Sequence, residues 1–406
     1  MKGDIFFEQF LNGSQLSKMH PKMALFFKDY FVNEKVILFN NRFVVNTHFP
    51  PYPSRAFDNL VEHFNMIGDI TKRNLFSVTI AITNRCNYRC WHCYNAGRIK
   101  KNVPLSKLKE LIVELQDLGV IHVTITGGEP MLRNDLEELA SSFDNRTYLT
   151  LNTTGDGFTS DRARSLYDSG IFAIGVSLDS TDPIEHDSLR GRKGAFDASL
   201  EAIQLASQNN LYPYVIAVAT KEFLVPDKFW DFLQFVSKVG ALEVHLLEPT
   251  ASGRLAGRSN VLLTQSDRDL ILNYQKEVAQ DDGLPILSSF LYLESPHNFG
   301  CGAGLTHLYI DGSGEVCPCN FIPLSFGNIT SESLRCILDR MGQYFRKPRC
   351  ICVGQLLSKH IHDDKLPIKA EKSIKICDSF LPKEHSTPRF FQVQHEIKKE
   401  ARQVKM

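Results

Sequence analysis

Six short apolar runs punctuate the middle of the chain: "SVTIAIT" from Ser77, "IHVTITGG" from Ile121, "TYLTLNTTG" from Thr147, "IFAIGVSLD" from Ile171, "YPYVIAVAT" from Tyr212 and "ALEVHLLEP" from Ala241. Each is rich in β-branched residues and mostly apolar, which suits a parallel strand buried on both faces. Between them lie stretches with a helical repeat. In "PLSKLKELIVELQDLG", Leu105, Leu108, Leu111, Ile112 and Leu115 form one stripe, and "GAFDASLEAIQLASQNN" is amphipathic in the same way. Six strand–helix units in succession predict an α/β fold with right-handed crossovers. Six are too few for a closed eight-fold barrel, so the pattern predicts an open, partial (β/α)6 TIM-like barrel over residues 76–285.

Ahead of it, "MALFFKDYF" reads as a helix and "KVILF-NN-RFVVNT" as a hairpin turning at Asn40-Asn41, followed by an extended linker, "HFPPYPS". Residues 1–75 are thus a small α+β segment. Past residue 285 the pattern gives way to a cysteine-bearing unit, 286–356, and then to a polar tail, 357–406, in which "HEIKKEARQVKM" reads as a solvated helix.

Functional residues in parallel α/β folds gather at the C-terminal ends of the strands. "NRCNYRCWHC" follows the first run and "GGEP" the second; "NTTG" ends the third and "SLDS" the fourth. All four face one mouth.

The 406-residue chain is 43% hydrophobic, enough for a sizeable core and two or three domains. Lys+Arg and Asp+Glu are equal at 46 each, which gives no support to a nucleic-acid or polyanion partner. There is no run of about 18 apolar residues and hence no membrane span. The start, "MKGDIFFEQFLNGSQ", lacks the apolar core and cleavage site of a signal peptide, so a cytoplasmic location is expected.

The cysteines number 10, clustered from Cys86 to Cys93 and from Cys301 to Cys352, with Cys377 apart. In a cytosolic chain such clustering favours metal ligation over disulfides. Cys86, Cys90 and Cys93 are spaced C-x3-C-x2-C. A structural zinc site closes its shell with four ligands. Three thiolates on a cubane iron–sulfur cluster instead leave one iron free for a small molecule. A zinc site or buried thiols explain neither the missing fourth cysteine nor "GGEP" at the next strand end.

"CNYRCWHC", with "GGEP", "NTTG" and "VSLDS…HDSLRGRKGAF", resembles the radical S-adenosylmethionine enzymes. The resemblance implies that Cys86, Cys90 and Cys93 hold a [4Fe-4S] cluster whose open iron is chelated by S-adenosylmethionine. Reductive cleavage then releases a 5′-deoxyadenosyl radical that abstracts hydrogen from a substrate. By the same resemblance, the backbone at His92 meets the adenine, and Gly127, Gly128 and Glu129 approach the methionine amino group. Asn152 and Ser177 contact the ribose or carboxylate, and Arg190 stands near the methionine carboxylate. On the residues alone, a turn role stays open for "GGEP" and Asn152, a strand-end hydroxyl for Ser177 and a surface cation for Arg190.

"CGAGLTHLYIDGSGEVCPC" followed by "FGNI" is similar to the SPASM and twitch extensions, which hold auxiliary iron–sulfur clusters. A two-cluster module would continue C-x2-C-x5-C-x3-C, whereas this chain has only "RCICVG". The resemblance therefore implies one auxiliary cluster, [4Fe-4S] or [2Fe-2S], on Cys301, Cys319, Cys350 and Cys352. Cys317 is a rival ligand and Cys336 a weaker one, and structural zinc competes for the same thiolates. Cys336, in the helical "ESLRCILDRM", reads as a core residue, and Cys377 as an ordinary thiol. Oxygen sensitivity is expected, with reduced ferredoxin or flavodoxin as electron donor. The twitch-like extension points to a ribosomally made peptide as substrate. A small molecule (tetrapyrrole, sugar or lipid precursor) is the alternative within the family, and a non-catalytic iron–sulfur or zinc scaffold the alternative outside it.

Overall fold

The computed structural model describes residues 1–11, 19–66, 75–361 and 365–403. The six apolar runs become six parallel strands: β3 (Ser77–Ala81), β4 (His122–Thr126), β5 (Tyr148–Thr153), β6 (Ile171–Ser177), β7 (Tyr212–Val218) and β8 (Glu243–Leu247). Ahead of them, after the helices Gly3–Leu11 and Pro21–Phe31, β1 (Ile37–Phe39) and β2 (Arg42–Val44) form a hairpin. Asn40 and Asn41 both have positive φ (48° and 61°), the conformation a two-residue type I′ turn requires.

The main sheet is larger than expected. Two further parallel strands extend it: β9 (Ile286–Ser289) beside β8, and β10 (His307–Ile310) beside β3. A short antiparallel β11 (Val316–Cys317) covers the β10 edge, giving the order β11-β10-β3-β4-β5-β6-β7-β8-β9. Both edges of the barrel sheet are thus supplied by residues 286–310, which pattern alone assigned to the next unit. These strands are four residues each and carry no following helix of the repeating kind. The sheet does not close on itself, in keeping with a partial barrel.

Helices cover the outer face. Val123, Ile125, Leu149, Leu151, Ile174, Val176, Val215 and Val244 form one core with Leu108, Leu111, Ile112 and Leu115 of the helix Leu105–Asp117. The ends of the chain close the bottom. Phe26, Phe27 and Tyr30 of the helix Pro21–Phe31 meet Phe49, Phe64, Phe299 and Phe390 in a buried aromatic cluster. The segment read as a linker belongs to this packing: Phe49 is buried, and Tyr52 exchanges backbone hydrogen bonds with Phe43. The tail read as polar holds the helices Ala370–Phe380 and Arg389–Gln403, and the latter inserts Phe390 and Phe391. No helix among the described residues is long and apolar enough to cross a membrane.

Candidate active site

The C-terminal ends of β3 to β6 open on one chamber, a cavity of about 1090 Å³ that continues into the barrel and reaches the C-terminal cysteines. Strand alternation sets its inner wall. On β4, His122, Thr124 and Thr126 face the cavity while Val123 and Ile125 join the outer core. β5 contributes Thr150 and Asn152, and β8 His245 and Leu247. The runs read as buried on both faces therefore carry a polar inner stripe of hydroxyls, amides and imidazoles. Burial lowers the imidazoles: His122 to about 3, His245 to about 4 and His307 to about 4, so they are neutral.

Cys86, Cys90 and Cys93 come together on the loop after β3, around Tyr88 and Ala195. The Tyr88 N–H donates to the Cys86 sulfur at 3.3 Å, and the N–H groups of Asn95 and Ala96 donate to the Cys93 sulfur. Burial pushes the Cys86 thiol up to about 12 and raises Cys93 as well. A coordinated metal deprotonates such thiols outright. Three converging thiols, two of them already receiving backbone N–H bonds, fit the three-cysteine attachment of an iron–sulfur cluster.

"GGEP" is laced to this loop. The Gly128 N–H donates to the Thr83 carbonyl at 2.7 Å and the Glu129 N–H to the Arg85 carbonyl at 2.8 Å. A Cβ on Gly127 would lie 2.5 Å from the Thr83 oxygen, and one on Gly128 only 2.1 Å from the Arg85 oxygen. Glycine is therefore required by the neighbouring backbone, and both glycines also line the cavity. Glu129 differs from expectation. Its buried carboxylate accepts from Thr153 Oγ1 and Met131 N through one oxygen, and from Thr154 N and Oγ1 through the other. The side chain braces the ends of β4 and β5 together and is not free for a ligand, leaving only its backbone for that purpose.

Asn152 and Ser177 line the cavity, with the Tyr214 hydroxyl donating to Asn152 Oδ1. Arg190 is buried and lines the cavity, but it is paired: Nη2 lies 2.9 Å from Asp179 Oδ2, and Nη1 lies 3.9 Å from the Cys90 sulfur. His92 Nε2 stands 3.6 Å from the same carboxylate oxygen. Burial alone would raise the Asp179 carboxyl, but Arg190 and His92 outweigh it and hold the carboxyl well below its usual range. The group behind Cys90 is thus Arg190–Asp179–His92. Asp179 stands in "SLDS", but nothing in the pattern singled it out.

At the far end of the cavity lie Cys301, Cys319 and Cys352. Each sulfur accepts two backbone N–H bonds: Cys301 from Val353 and Ala303, Cys319 from Phe321 and Asn320, Cys352 from Gln355 and Gly354. Cys301 is buried, Cys319 half-buried and Cys352 exposed, and desolvation raises the Cys301 and Cys319 thiols. Glu294, absent from the sequence reading, faces them, and burial pushes it up to about 7. Cys350 lines the same wall. Cys317 is a correction. It packs against Ala81 and Tyr309 and takes a hydrogen bond from Arg98, whose guanidinium is tied to Asp311 at 3.2 Å. Strand pairing of β11 with β10 turns it into that patch, and it is not among the cavity-lining residues. Cys336, expected in the core, is instead exposed, because the helix Leu334–Phe345 buries Leu334, Ile337, Leu338 and Met341 on its other side; Cys377 is buried.

A family model of the radical SAM superfamily matches residues 80–236, and one of an iron–sulfur cluster-binding domain, SPASM, matches residues 301–359. The chain is 24% identical over 302 residues to the AdoMet-dependent heme synthase of Nitratidesulfovibrio vulgaris, covering 66% of this chain and 79% of that protein. It is 30% identical over 276 residues to the subtilosin biosynthesis protein AlbA of Bacillus subtilis, covering 64% and 59%. Among solved structures it is similar to Streptococcus suis SuiB bound to its precursor peptide SuiA, with a TM-score of 0.58 and 18% identity over 72% of each chain. It is similar also to anSMEcpe with bound AdoMet, with a TM-score of 0.53 and 16% identity, over 79% of this chain and 100% of that one.

Proposed function

The chain belongs to the radical SAM superfamily and carries a SPASM domain, so it is an enzyme of S-adenosylmethionine and iron–sulfur clusters; we propose that its substrate is a peptide. Cys86, Cys90 and Cys93 are the residues that would hold the catalytic [4Fe-4S] cluster, which when bound supplies the electron that splits S-adenosylmethionine to a 5′-deoxyadenosyl radical. The Gly127–Gly128 backbone, held by Glu129, offers carbonyls to the methionine amino group, and Asn152 and Ser177 offer polar side chains on the same mouth. Arg190 keeps a positive charge beside the Cys90 thiolate. Reduced ferredoxin or flavodoxin is the proposed electron donor.

One observation carries the peptide reading: the chemistry of the cavity wall. Among the described residues no lysine lines it, and its two arginines are each paired, Arg190 with Asp179 and Arg268 with Glu248 at 2.7 Å. A nucleoside triphosphate or a sugar phosphate needs unpaired cations. A peptide backbone needs neutral donors and acceptors, and the wall supplies them in Thr79, Thr124, Thr150, Asn152 and Asn320. Relatives with peptide substrates, such as the SuiB–SuiA complex, support the reading. The test is to incubate the anaerobically reconstituted enzyme, S-adenosylmethionine and reductant with the short peptides encoded beside its gene. An S-adenosylmethionine-dependent mass change in one of them is expected; no binding and no mass change in any of them sinks the reading.

A second reading, a tetrapyrrole, is favoured by one feature. The buried His48 Nε2 has no partner, nor has His245 Nε2, and both rings pack on Phe290 at about 5 Å. An unpartnered neutral imidazole is the kind of group that holds haem iron. Haem binding with an absorption shift lost in His48→Ala would move the tetrapyrrole ahead of the peptide.

A further inference from the structure

We propose that Glu294 completes the ligand set of the auxiliary cluster, with Cys301, Cys319 and Cys352. This rests on reading the C-terminal cysteines as an iron–sulfur site, and it replaces Cys350 with a carboxylate.

The three thiols are pre-set for iron. Each accepts two backbone N–H bonds, the kind of outer-shell contact that orients cluster ligands. The contacts also join the loops to one another: the Val353 N–H that serves Cys301 belongs to the residue after Cys352. Glu294 follows the short helix Phe290–Leu293, its N–H donating to the Phe290 carbonyl at 2.7 Å. It lines the same cavity as the three cysteines and acts electrostatically on all three sulfurs. Its own carboxylate accepts from the Gly302 N–H, next to Cys301. Lone pairs remain for a metal.

The rivals are committed elsewhere. Glu248 is ion-paired with Arg268. Cys317 is held by Arg98 in a separate patch. His307 uses both ring nitrogens, towards Ser77 and Asn320. Cys350 shares the wall, but among the described residues no backbone N–H and no other thiol acts on its sulfur. A carboxylate oxygen is a harder ligand than a thiolate and holds iron less firmly. The iron on Glu294 is therefore the one lost first on oxidation.

The experiment uses the full chain with Cys86→Ala, Cys90→Ala and Cys93→Ala, so that iron reports on the auxiliary site alone. Iron per chain and Mössbauer and EPR spectra are compared for that parent, for Glu294→Gln, for Glu294→Cys and for Cys350→Ala. The parent and Cys350→Ala are expected to keep about four irons with the same spectra, and Glu294→Gln about three, with the EPR signal of an oxidised three-iron cluster. Glu294→Cys is expected to keep four, with the unique iron shifted to the thiolate position in the Mössbauer spectrum. An iron lost from Cys350→Ala but kept in Glu294→Gln overturns the proposal in favour of Cys350. Should Glu294→Gln fail to fold, Glu294→Cys decides alone, since a spectrum identical to the parent's overturns it. A parent that binds no iron overturns the auxiliary-cluster reading itself, and with it the proposal.

Discussion

Replacing Glu129 by glutamine tests the brace behind the proposed S-adenosylmethionine loop. Each carboxylate oxygen accepts one backbone N–H and one hydroxyl: Met131 N at 3.0 Å with Thr153 Oγ1 at 2.7 Å, and Thr154 N at 2.8 Å with Thr154 Oγ1 at 2.7 Å. Glutamine keeps only one oxygen. Its amide nitrogen must face one of the two N–H groups, whichever way it is flipped. A hydroxyl can turn and accept, but an N–H cannot, so one buried donor is orphaned at a cost of about 1–3 kcal/mol. The surviving bonds also fall from charge-assisted to neutral strength, costing about 1 kcal/mol each. Against this, the variant no longer buries a carboxylate whose pKa burial raises. The net expectation is a loss of about 2 kcal/mol for Glu129→Gln, and about 4 kcal/mol for Glu129→Ala, which orphans both N–H groups. Denaturant midpoints at fixed slope measure both. S-adenosylmethionine affinity should fall about tenfold in Glu129→Gln if 1.4 kcal/mol of the loss reaches the Gly127–Gly128 loop. A Glu129→Gln protein within about 0.5 kcal/mol of the parent, with Glu129→Ala no worse, would refute the reasoning.

Gly128→Ala drives a methyl into the Arg85 carbonyl and displaces Cys86; iron per chain should fall by about four, the content of one cubane, and an unchanged count would show that the loop yields freely. Asp179→Asn strands the buried Arg190 guanidinium and should cost about 3–5 kcal/mol at neutral pH. Because the Asp179 carboxyl is lowered in the folded state, its contribution is present above about pH 4 and lost as pH falls through the lowered value. The gap between parent and variant should therefore narrow in acid, and a gap independent of pH contradicts the pairing. Glu243, raised by burial from 4.5 to about 7, works the opposite way. The stability tied to its protonated form is present below pH 4.5 and lost as pH rises to 7, about 3 kcal/mol over 2.5 pH units at 1.36 kcal/mol per unit. Glu243→Gln should flatten that slope in denaturation curves from pH 4.5 to 8, and a slope that persists points to another group.

The barrel was legible because its strands are runs of β-branched residues separated by helical stripes, and because their motifs converge at strand ends. What escaped was chemistry spread over several strands. His122, Thr124 and Thr150 sit at alternate positions within apolar runs, and each run looked buried on both faces until its neighbours closed around a cavity. Strand β10 was missed for a different reason: four residues between cysteine-rich turns carry too little periodicity, and pairing with β3 selects them. The C-terminal helix Arg389–Gln403 has a charged outer face that masks Phe390 and Phe391. Asp179 and Glu294 had no local signal at all, since a lone carboxylate declares its role only through what lies across from it. Cys317 stood as a rival to the ligands the resemblance implied, and Arg98, distant in sequence, ties it into another patch.

Phe390 and Phe391 are walls of the same chamber that Cys86 opens onto, yet they lie at the other end of the polypeptide. On the ribosome, the cysteine loop and its parallel strands emerge first and fold as a unit, while that aromatic wall is still to be translated. The cysteine loop is therefore made before the chamber has a floor, and docking of the last helix completes the bottom of the chamber.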